Sequence, residues 1–245
     1  LAQLLTKPLD AASAYYRSRP FMFGSGFTLE EAFISDMARA DGLSDGRDVG
    51  VVFNMLRRER AAVLPLAGDI GSQFTPAVGW AQAIRYHVEE LGETNADGSI
   101  AVIFSGEGAI AANGFWSALT MATTLKLPVL FVVEDNGYAI SVTSEMQTPG
   151  RNIAANLASF QNLTIWDGDG TKPEETAVLV HEAINTVRQG DGPAMLRLTV
   201  PRLSGHSGMD LQAYKSDAEK EAEWARDPIP ALHEHLVPAL MDEKE

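Results

Sequence analysis

The sequence predicts a three-layer α/β fold, a mostly parallel sheet with helices packed on both faces. Three observations carry this. Residues 100–104 (IAVIF) and 129–133 (VLFVV) are unbroken apolar runs, the composition of strands buried on both sides. Segments with apolar residues at helical spacing separate such runs. Turn residues, such as the glycines at 106 and 108, stand at the junctions. Strands that alternate with helices need crossover connections, and crossovers give parallel pairing.

Taken in order, residues 1–48 show little periodicity except an amphipathic segment near 29–40. Thr28 precedes it and Glu31 follows three positions on, the pattern of a capping box. Residues 41–46 (DGLSDG) form a loop, and 62–80 are a connection punctuated by Gly and Pro. A helix over 76–91 places Val78, Ala81, Ile84 and Val88 at helical spacing, and 92–98 turn. The strand at 100–104 ends in a tight turn at 106–108. A helix follows over 111–125, with Phe115, Leu119, Ala122 and Leu125 on one stripe, and then the strand at 129–133. A short helix at 151–159, a strand at 163–166, a helix opened by Pro173 and reaching Gln189, and a strand at 195–200 complete the pattern. Residues 201–219 read as a mobile loop with Gly205, Gly208 and few apolar anchors. Residues 220–245 read as a tail, charged and then helical from about Ile229. At roughly 150 residues per domain, residues 1–245 form a single domain.

Composition removes several function classes. The chain has 245 residues, 45% hydrophobic and 21% charged, the balance of an ordinary globular protein. Its 19 basic and 33 acidic residues give a net charge of −14, which argues against nucleic acid and against an anionic membrane surface. Without cysteine there are no disulfides, thiolate metal sites or cysteine nucleophiles. No apolar run approaches the ~20 residues of a membrane span, and there is no secretory signal. The expected location is cytoplasmic, or the mitochondrial matrix in a eukaryote. The chain begins at Leu1 rather than Met, as a fragment or a processed form would.

The strongest chemical signal is Gly106-Glu107-Gly108 at the carboxyl end of one buried strand, with Asp135-Asn136-Gly137-Tyr138 just after the next. Asn136 follows Glu107 by 29 positions, the length that one crossover helix and one strand consume. The two side chains should therefore stand together at the carboxyl edge of the sheet, where open α/β folds bind ligands. One carboxylate and one amide oxygen are hard ligands, too few to cage an ion alone. That suits magnesium, which keeps water and shares phosphate. The helix starting near Ala111 would aim its N-terminus at the same place and favour phosphate. These residues read as a magnesium–diphosphate site. Two alternatives stay open, a glycine turn with a solvated Glu, and a dinucleotide fingerprint. Gly106 to Ala111 also fits G-x-G-x-x-A with Glu134 ending the next strand, the mark of an NAD-binding Rossmann-type oxidoreductase. Against the latter, an acid between the glycines repels a bare pyrophosphate. Gly168-Asp169-Gly170 reads as a plain turn, since Val200 and Pro201, not Asn, close the following strand. His206 lies in the polar loop and titrates near neutrality, as a functional group or simply a solvated one. Arg17 could fork a diphosphate or make a surface ion pair. Ile70 is an apolar residue in a turn. His87, His181, His233 and His235 read as surface residues.

The stretch GEGAIAANGFWSALTMATTLKLPVLFVVEDNGYAIS, together with YYRSRP (15–20), GDIGSQFTPAVG (68–79), RLSGHSGMDLQAY (202–214) and WARDPI (224–229), resembles the alpha subunit of the thiamin diphosphate-dependent 2-oxo acid dehydrogenases. These blocks stand in the order of that family and cover most of the chain. The resemblance implies a thiamin diphosphate-binding fold and oxidative decarboxylation of a 2-oxo acid, branched-chain (2-oxoisovalerate-type) in the first instance, with pyruvate and acetoin as relatives' alternatives. It implies magnesium held by Glu107, Asn136 and the carbonyl of Tyr138. Gly106, Gly108 and Ala109 would line the cofactor, Tyr16 and Arg17 would reach its diphosphate, and Ile70 would wedge beneath it. Arg202 and His206 would cover the thiazolium end, with His206 catalytic. The implied partners are a beta subunit in an α2β2 heterotetramer and a lipoyl acyltransferase. A glutamate from a second α/β domain, which this chain does not contain, would activate the cofactor. Departures are visible. The triplet has Glu where many relatives have Asp. Asp135 replaces the first Asn of the usual pair. A His expected before the GDIG block is replaced near Val52 and Phe53. Parts of the family's usual extensions at both termini are missing. Ser207 lies where mammalian relatives are phosphorylated.

Overall fold

The computed structural model of the chain describes residues 1–47, 54–58, 60–237 and 239–242. The positions of Val52 and Phe53, where a family His is missing, lie outside the described residues. In chain order the elements are β1 (Ala11–Ser13), α1 (Arg19–Gly24), α2 (Leu29–Asp36), β2 (Ala62–Val63), α3 (Phe74–Glu89), β3 (Ala101–Gly106), α4 (Asn113–Leu125), β4 (Val129–Asp135), β5 (Tyr138–Ala139), β6 (Val142–Thr143), α5 (Ile153–Asn156), β7 (Thr164–Asp169), α6 (Pro173–Arg188), β8 (Ala194–Thr199), α7 (Asp217–Trp224) and α8 (Pro228–Leu236). Six strands form one sheet in the order β2-β1-β3-β4-β8-β7, and every neighbouring pair is parallel.

Because side chains alternate along a strand, the apolar runs supply both faces of this sheet. Val102, Phe104, Leu130, Val132 and Leu196 pack against Val180, Ala183, Ile184 and Val187 of α6 and against Phe21 and Met22 of α1. Ala101, Ile103, Phe131, Val133 and Met195 pack against Phe74, Val78 and Ala81 of α3 and Phe115, Leu119 and Ala122 of α4. The result is the three-layer α/β architecture that the alternation predicts. Phe115 centres the second face, edge-on to Phe74 and Phe131 at 5.4 and 6.0 Å. Truncating such a ring costs about 3–5 kcal/mol.

Several elements differ from the sequence-based expectation, each for a physical reason. β1 and β2 have no β-branched or aromatic run to announce them. Alanines and a serine form a buried strand there because neighbours on both sides supply the ladder. β3 and β4 run past their apolar cores, and Gly106 pairs with Glu134. Likewise β7 continues through Gly168 and Asp169, paired with Leu198 and Thr199, where a turn was expected. Leu125 is 38% exposed, and the buried stripe of α4 is Phe115, Ala118, Leu119, Ala122 and Thr123. Ten residues after Phe115, Leu125 has drifted about 80° around the helix. α7 begins at Asp217, because Ser216 and Glu219 form a capping box inside the expected loop. The box at Thr28 and Glu31 forms as predicted and starts α2.

At the amino edge of the sheet, Asp10 ties the chain together. Its carboxylate, 0% exposed, accepts from the Lys7 and Ile100 amides at 2.8 and 2.9 Å and from both Nη atoms of Arg188 at 3.0 and 2.7 Å. Arg188 also donates to the carbonyls of Leu4 and Gly98. One ion pair thus joins the start of β1, the start of β3 and the end of α6.

Candidate functional site

The carboxyl edge is built differently. Five chain segments leave the sheet or approach it there and enclose a cleft of about 230 Å³. They are the exit from β1 (Tyr15, Tyr16, Arg17), the connection before α3 (66–70 and Gln73), the turn after β3 (106–109), the turn and hairpin after β4 (136, 138–140), and the loop after β8 (Arg202, His206). The structure therefore brings Tyr16, Arg17, Ile70, Gly106, Glu107, Gly108, Ala109, Asn136, Tyr138, Arg202 and His206 around one space. No residue singled out for the cofactor site falls elsewhere. Ile70, 56% exposed, stands at the mouth.

Glu107 is 3% exposed on the cleft wall. Its Oε2 accepts from the Asn136 amide at 3.3 Å, so the two residues are neighbours, as their spacing predicts. Its Oε1 is buried with no partner. Burial, and then the nearby charge of Asp135, push its carboxyl up to about 7, with backbone N–H groups partly opposing. The turn after β4 is shaped by side-chain oxygens on three successive amides. Glu107 holds the N–H of Asn136, Asp135 Oδ1 that of Gly137 at 3.0 Å, and Asn136 Oδ1 that of Tyr138 at 3.0 Å. Gly108 permits the hairpin of β5 and β6 to approach, since a Cβ there would lie 2.4 Å from the Cβ of Ala139. A 3-10 turn at Glu107–Ala111 precedes α4, which starts at Asn113. This short turn, and not the helix expected from Ala111, begins beside Glu107.

The loop after β8 is anchored by one carboxylate. Asp210 accepts from the amides of His206 and Gln212 at 2.7 and 2.8 Å, from the Tyr214 hydroxyl at 2.9 Å and from Arg202 at 3.3 Å. The His206 amide, then that of Gln212, hold its carboxyl down at about 2. Arg202 is buried between the rings of Tyr138 and Tyr214, 5.3 and 5.6 Å from their centroids. Arg17 donates to the His206 carbonyl at 2.9 Å, and Tyr16 meets the imidazole edge-on at 5.9 Å. Partial burial, followed by the charges of Arg17 and Arg202, lowers the His206 pKa below its ordinary value. His206 is thus half-buried, in surroundings that favour the neutral ring.

Sequence reasoning missed other members of the site. Tyr15 lines the cleft and donates its hydroxyl to Glu134, the half-buried residue beside Gly106 in the ladder. Buried Gln73 accepts from the Gly71 amide at 3.1 Å and donates to the Phe104 carbonyl at 3.3 Å, fixing the connection that carries Ile70. Both lie within quoted blocks, 15–20 and 68–79, but their contacts to Glu134 and to the Phe104 carbonyl join distant segments and leave no local signal. Asp210 could have been suspected from its place in the RLSGHSGMDLQAY block.

Among the described residues, no three His, Cys, Asp or Glu side chains gather into a metal cluster. The fitting observation is narrower, an orphaned carboxylate oxygen beside an Asn amide and the Tyr138 backbone. A buried carboxylate with an unused oxygen is costly unless a cation or proton compensates it. The residues present therefore fit a divalent cation whose shell phosphate and water complete.

The comparisons agree with this architecture. The family model for the dehydrogenase E1 component matches residues 1–245. The chain is 29% identical over 235 residues to pyruvate dehydrogenase E1 component subunit alpha-3, chloroplastic, of Arabidopsis thaliana, covering 96% of this chain and 53% of the relative. It is 28% identical over 236 residues to the 2-oxoisovalerate dehydrogenase subunit alpha of Bacillus subtilis, covering 95% of this chain and 67% of the relative. The chain thus spans about half the length of the Arabidopsis protein. A transketolase variant from Pichia stipitis shares the fold with a TM-score of 0.56 at 16% identity, covering 78% of this chain and 28% of that one. No helix among the described residues is long and apolar enough to cross a membrane.

Proposed function

The chain belongs to the dehydrogenase E1 component family, and from that premise we propose that it is the alpha subunit of a thiamin diphosphate-dependent 2-oxo acid dehydrogenase. The observation that carries the reading is the unpartnered, buried oxygen of Glu107 at the head of the cleft. In this reading Glu107, Asn136 and the Tyr138 carbonyl would hold magnesium, which would supply the positive charge that a diphosphate needs beside the turns at 106–109 and 136–138. Arg17 and Tyr16 reach the diphosphate from the exit of β1, and Arg202 reaches it from the loop after β8. Ile70 supports the cofactor at the mouth.

Bound thiamin diphosphate supplies a nucleophilic carbon and an electron sink, the hard part of decarboxylating a 2-oxo acid. This chain positions and shields. His206, held by Arg17 and Asp210 and biased neutral, can take a proton at a ring nitrogen and return it during acyl transfer. The partners that follow are a beta subunit, supplying the second half of the site in an α2β2 assembly, and a lipoyl acyltransferase that accepts the acyl group. Nucleic acid and membrane are not partners in this reading. Such a complex works in the cytoplasm, or in the matrix of an organelle. A branched-chain 2-oxo acid is the first substrate to test and pyruvate the second. The dinucleotide alternative meets the same obstacle as before, an uncompensated carboxylate between its glycines.

The test is calorimetry of the chain with its beta subunit. Thiamin diphosphate should bind only when magnesium is present, and Glu107→Gln should weaken that binding at fixed magnesium. Binding of NAD, indifferent to magnesium and to thiamin diphosphate, would overturn the reading. Turnover by this chain as a verified monomer would overturn the partnership.

A further inference from the structure

Asp135 is where this chain departs from the motif it resembles, with a carboxylate in place of an Asn. It is buried at the end of β4, and its Oδ2 accepts from Nε and Nη2 of Arg197 at 2.8 and 2.7 Å. Arg197 is buried within β8, in a strand otherwise of Ala, Met, Leu and Thr. Its Nη1 donates to Asp167 Oδ1 on β7 at 2.6 Å, and the other oxygen of Asp167 accepts from Asn152 at 2.8 Å. One guanidinium therefore bridges three adjacent strands at the site edge. The remaining oxygen of Asp135 shapes the turn that carries Asn136, through the Gly137 amide.

We propose that Arg197 is a positioning residue for the cation site, fixing the carboxylate that shapes the turn at 136–138 and cancelling its charge beside Glu107. Stability alone is a weak reason for such a pair, because a buried ion pair often only breaks even against apolar residues of similar size. A neutral Asn in place of Asp135 would keep the acceptor for Gly137 and need no guanidinium behind it. Aspartate and arginine thus act as a matched pair. Changing one without the other upsets the charge balance beside Glu107, since Asp167 alone then faces the guanidinium or Asp135 loses its cation.

The inference rests on the reading of the cleft as a magnesium–diphosphate site. Its test measures thiamin diphosphate binding against magnesium concentration, with the chain and its beta subunit together. Asp135→Asn leaves the guanidinium without its main partner, and its positive charge should raise the magnesium needed for half-saturation about tenfold. Adding Arg197→Met to Asp135→Asn should bring that concentration back to within about threefold of the wild type, although the double variant has lost the ion pair altogether. Asp167→Asn, on the more exposed side of the triad, should shift it in the same direction by a smaller factor. It carries the test should Asp135→Asn not fold. A merely structural pair would lower thermal stability in the single and double variants alike, without moving the magnesium midpoint. That result, or a double variant no better than Asp135→Asn, overturns the inference while leaving wild-type binding intact. A wild type with no magnesium-linked binding removes the underlying reading, and this inference with it.

Discussion

Asp10 and Glu107 are buried carboxylates at opposite edges of the same parallel sheet, and their surroundings differ in one respect. Each oxygen of Asp10 is satisfied, by two backbone amides and by the fork of Arg188. Glu107 has one amide on one oxygen and none on the other. Removing a carboxylate from water without compensation costs several kcal/mol or drives its protonation. Asp10 escapes that because a cation is built into the fold, whereas at Glu107 burial, and then the charge of another carboxylate, Asp135, both disfavour ionisation. The amino edge therefore holds the sheet together. The carboxyl edge leaves a carboxylate oxygen unpaired at the place where ligands of parallel sheets bind.

The comparison makes opposite predictions for two isosteric substitutions. Asp10→Asn should cost about 3 kcal/mol, because the half-buried Arg188 is left without its counter-charge. Denaturant unfolding of the metal-free protein checks it, and a loss under about 1 kcal/mol would remove the first half of the contrast. Glu107→Gln should leave the same metal-free protein as stable as before or stabilise it by about 1–2 kcal/mol, since it removes a buried charge that nothing pairs. A large loss there would make Glu107 a second structural staple and sink the cation reading.

Glycine sharpens the contrast at a lower magnitude. Gly108→Ala places a methyl 2.4 Å from the Cβ of Ala139, so the hairpin carrying Tyr138 must move. Overpacking of that kind costs about 1–3 kcal/mol, and the displaced Tyr138 carbonyl should weaken cofactor binding. Gly79→Ala in α3 meets nothing within 4 Å and should stabilise by about 0.5–1 kcal/mol without touching binding. Thermal melts and cofactor titrations of both variants check the pair. Wild-type cofactor affinity in Gly108→Ala would show that the hairpin does not set the site.

These two edges were not equally legible in the sequence. Glu107 and Asn136 announced their meeting, because one crossover helix and one strand give their separation a geometric meaning. The central strands were legible from IAVIF and VLFVV for the same local reason. Asp10 and Arg188 lie 178 positions apart, and no period connects them. Strand β1 was invisible because Ala-Ala-Ser has no intrinsic preference for a sheet and becomes a strand only between its neighbours. Arg197 drew no notice within the strand at 195–200, and only its partners on β4 and β7 explain it. Local patterning fixes what a segment does alone, and charge pairs across the sheet depend on which strands become neighbours.

The smallest expected effect concerns the loop after β8, which joins the site through hydrogen bonds rather than burial. Asp210 gathers the amides of His206 and Gln212, the Tyr214 hydroxyl and Arg202, so Asp210→Ala should free the loop while changing global stability little. Two titrations should then control its order. His206 has its pKa lowered by partial burial and by Arg17 and Arg202, so the closed loop prefers the neutral ring. Order from this source is present above the ordinary value of 6.5 and is lost as pH falls through the lowered one. Asp210, held down at about 2, supports closure above its ordinary 3.8 and releases it only as pH falls toward 2. Between neutral pH and about pH 5 it is His206, of these two groups, that should loosen the loop, a several-fold fall in the amide protection factors of His206 and Gln212. His206→Ala should flatten that pH dependence, and Asp210→Ala should raise exchange at every pH. Protease nicking within 203–213 should follow the same order and decrease when magnesium and thiamin diphosphate are added, as for a lid that closes on an anion. Equal amide protection factors at pH 7.5 and pH 5 in the wild type would leave Asp210 as the tether and take His206 out of the loop's control.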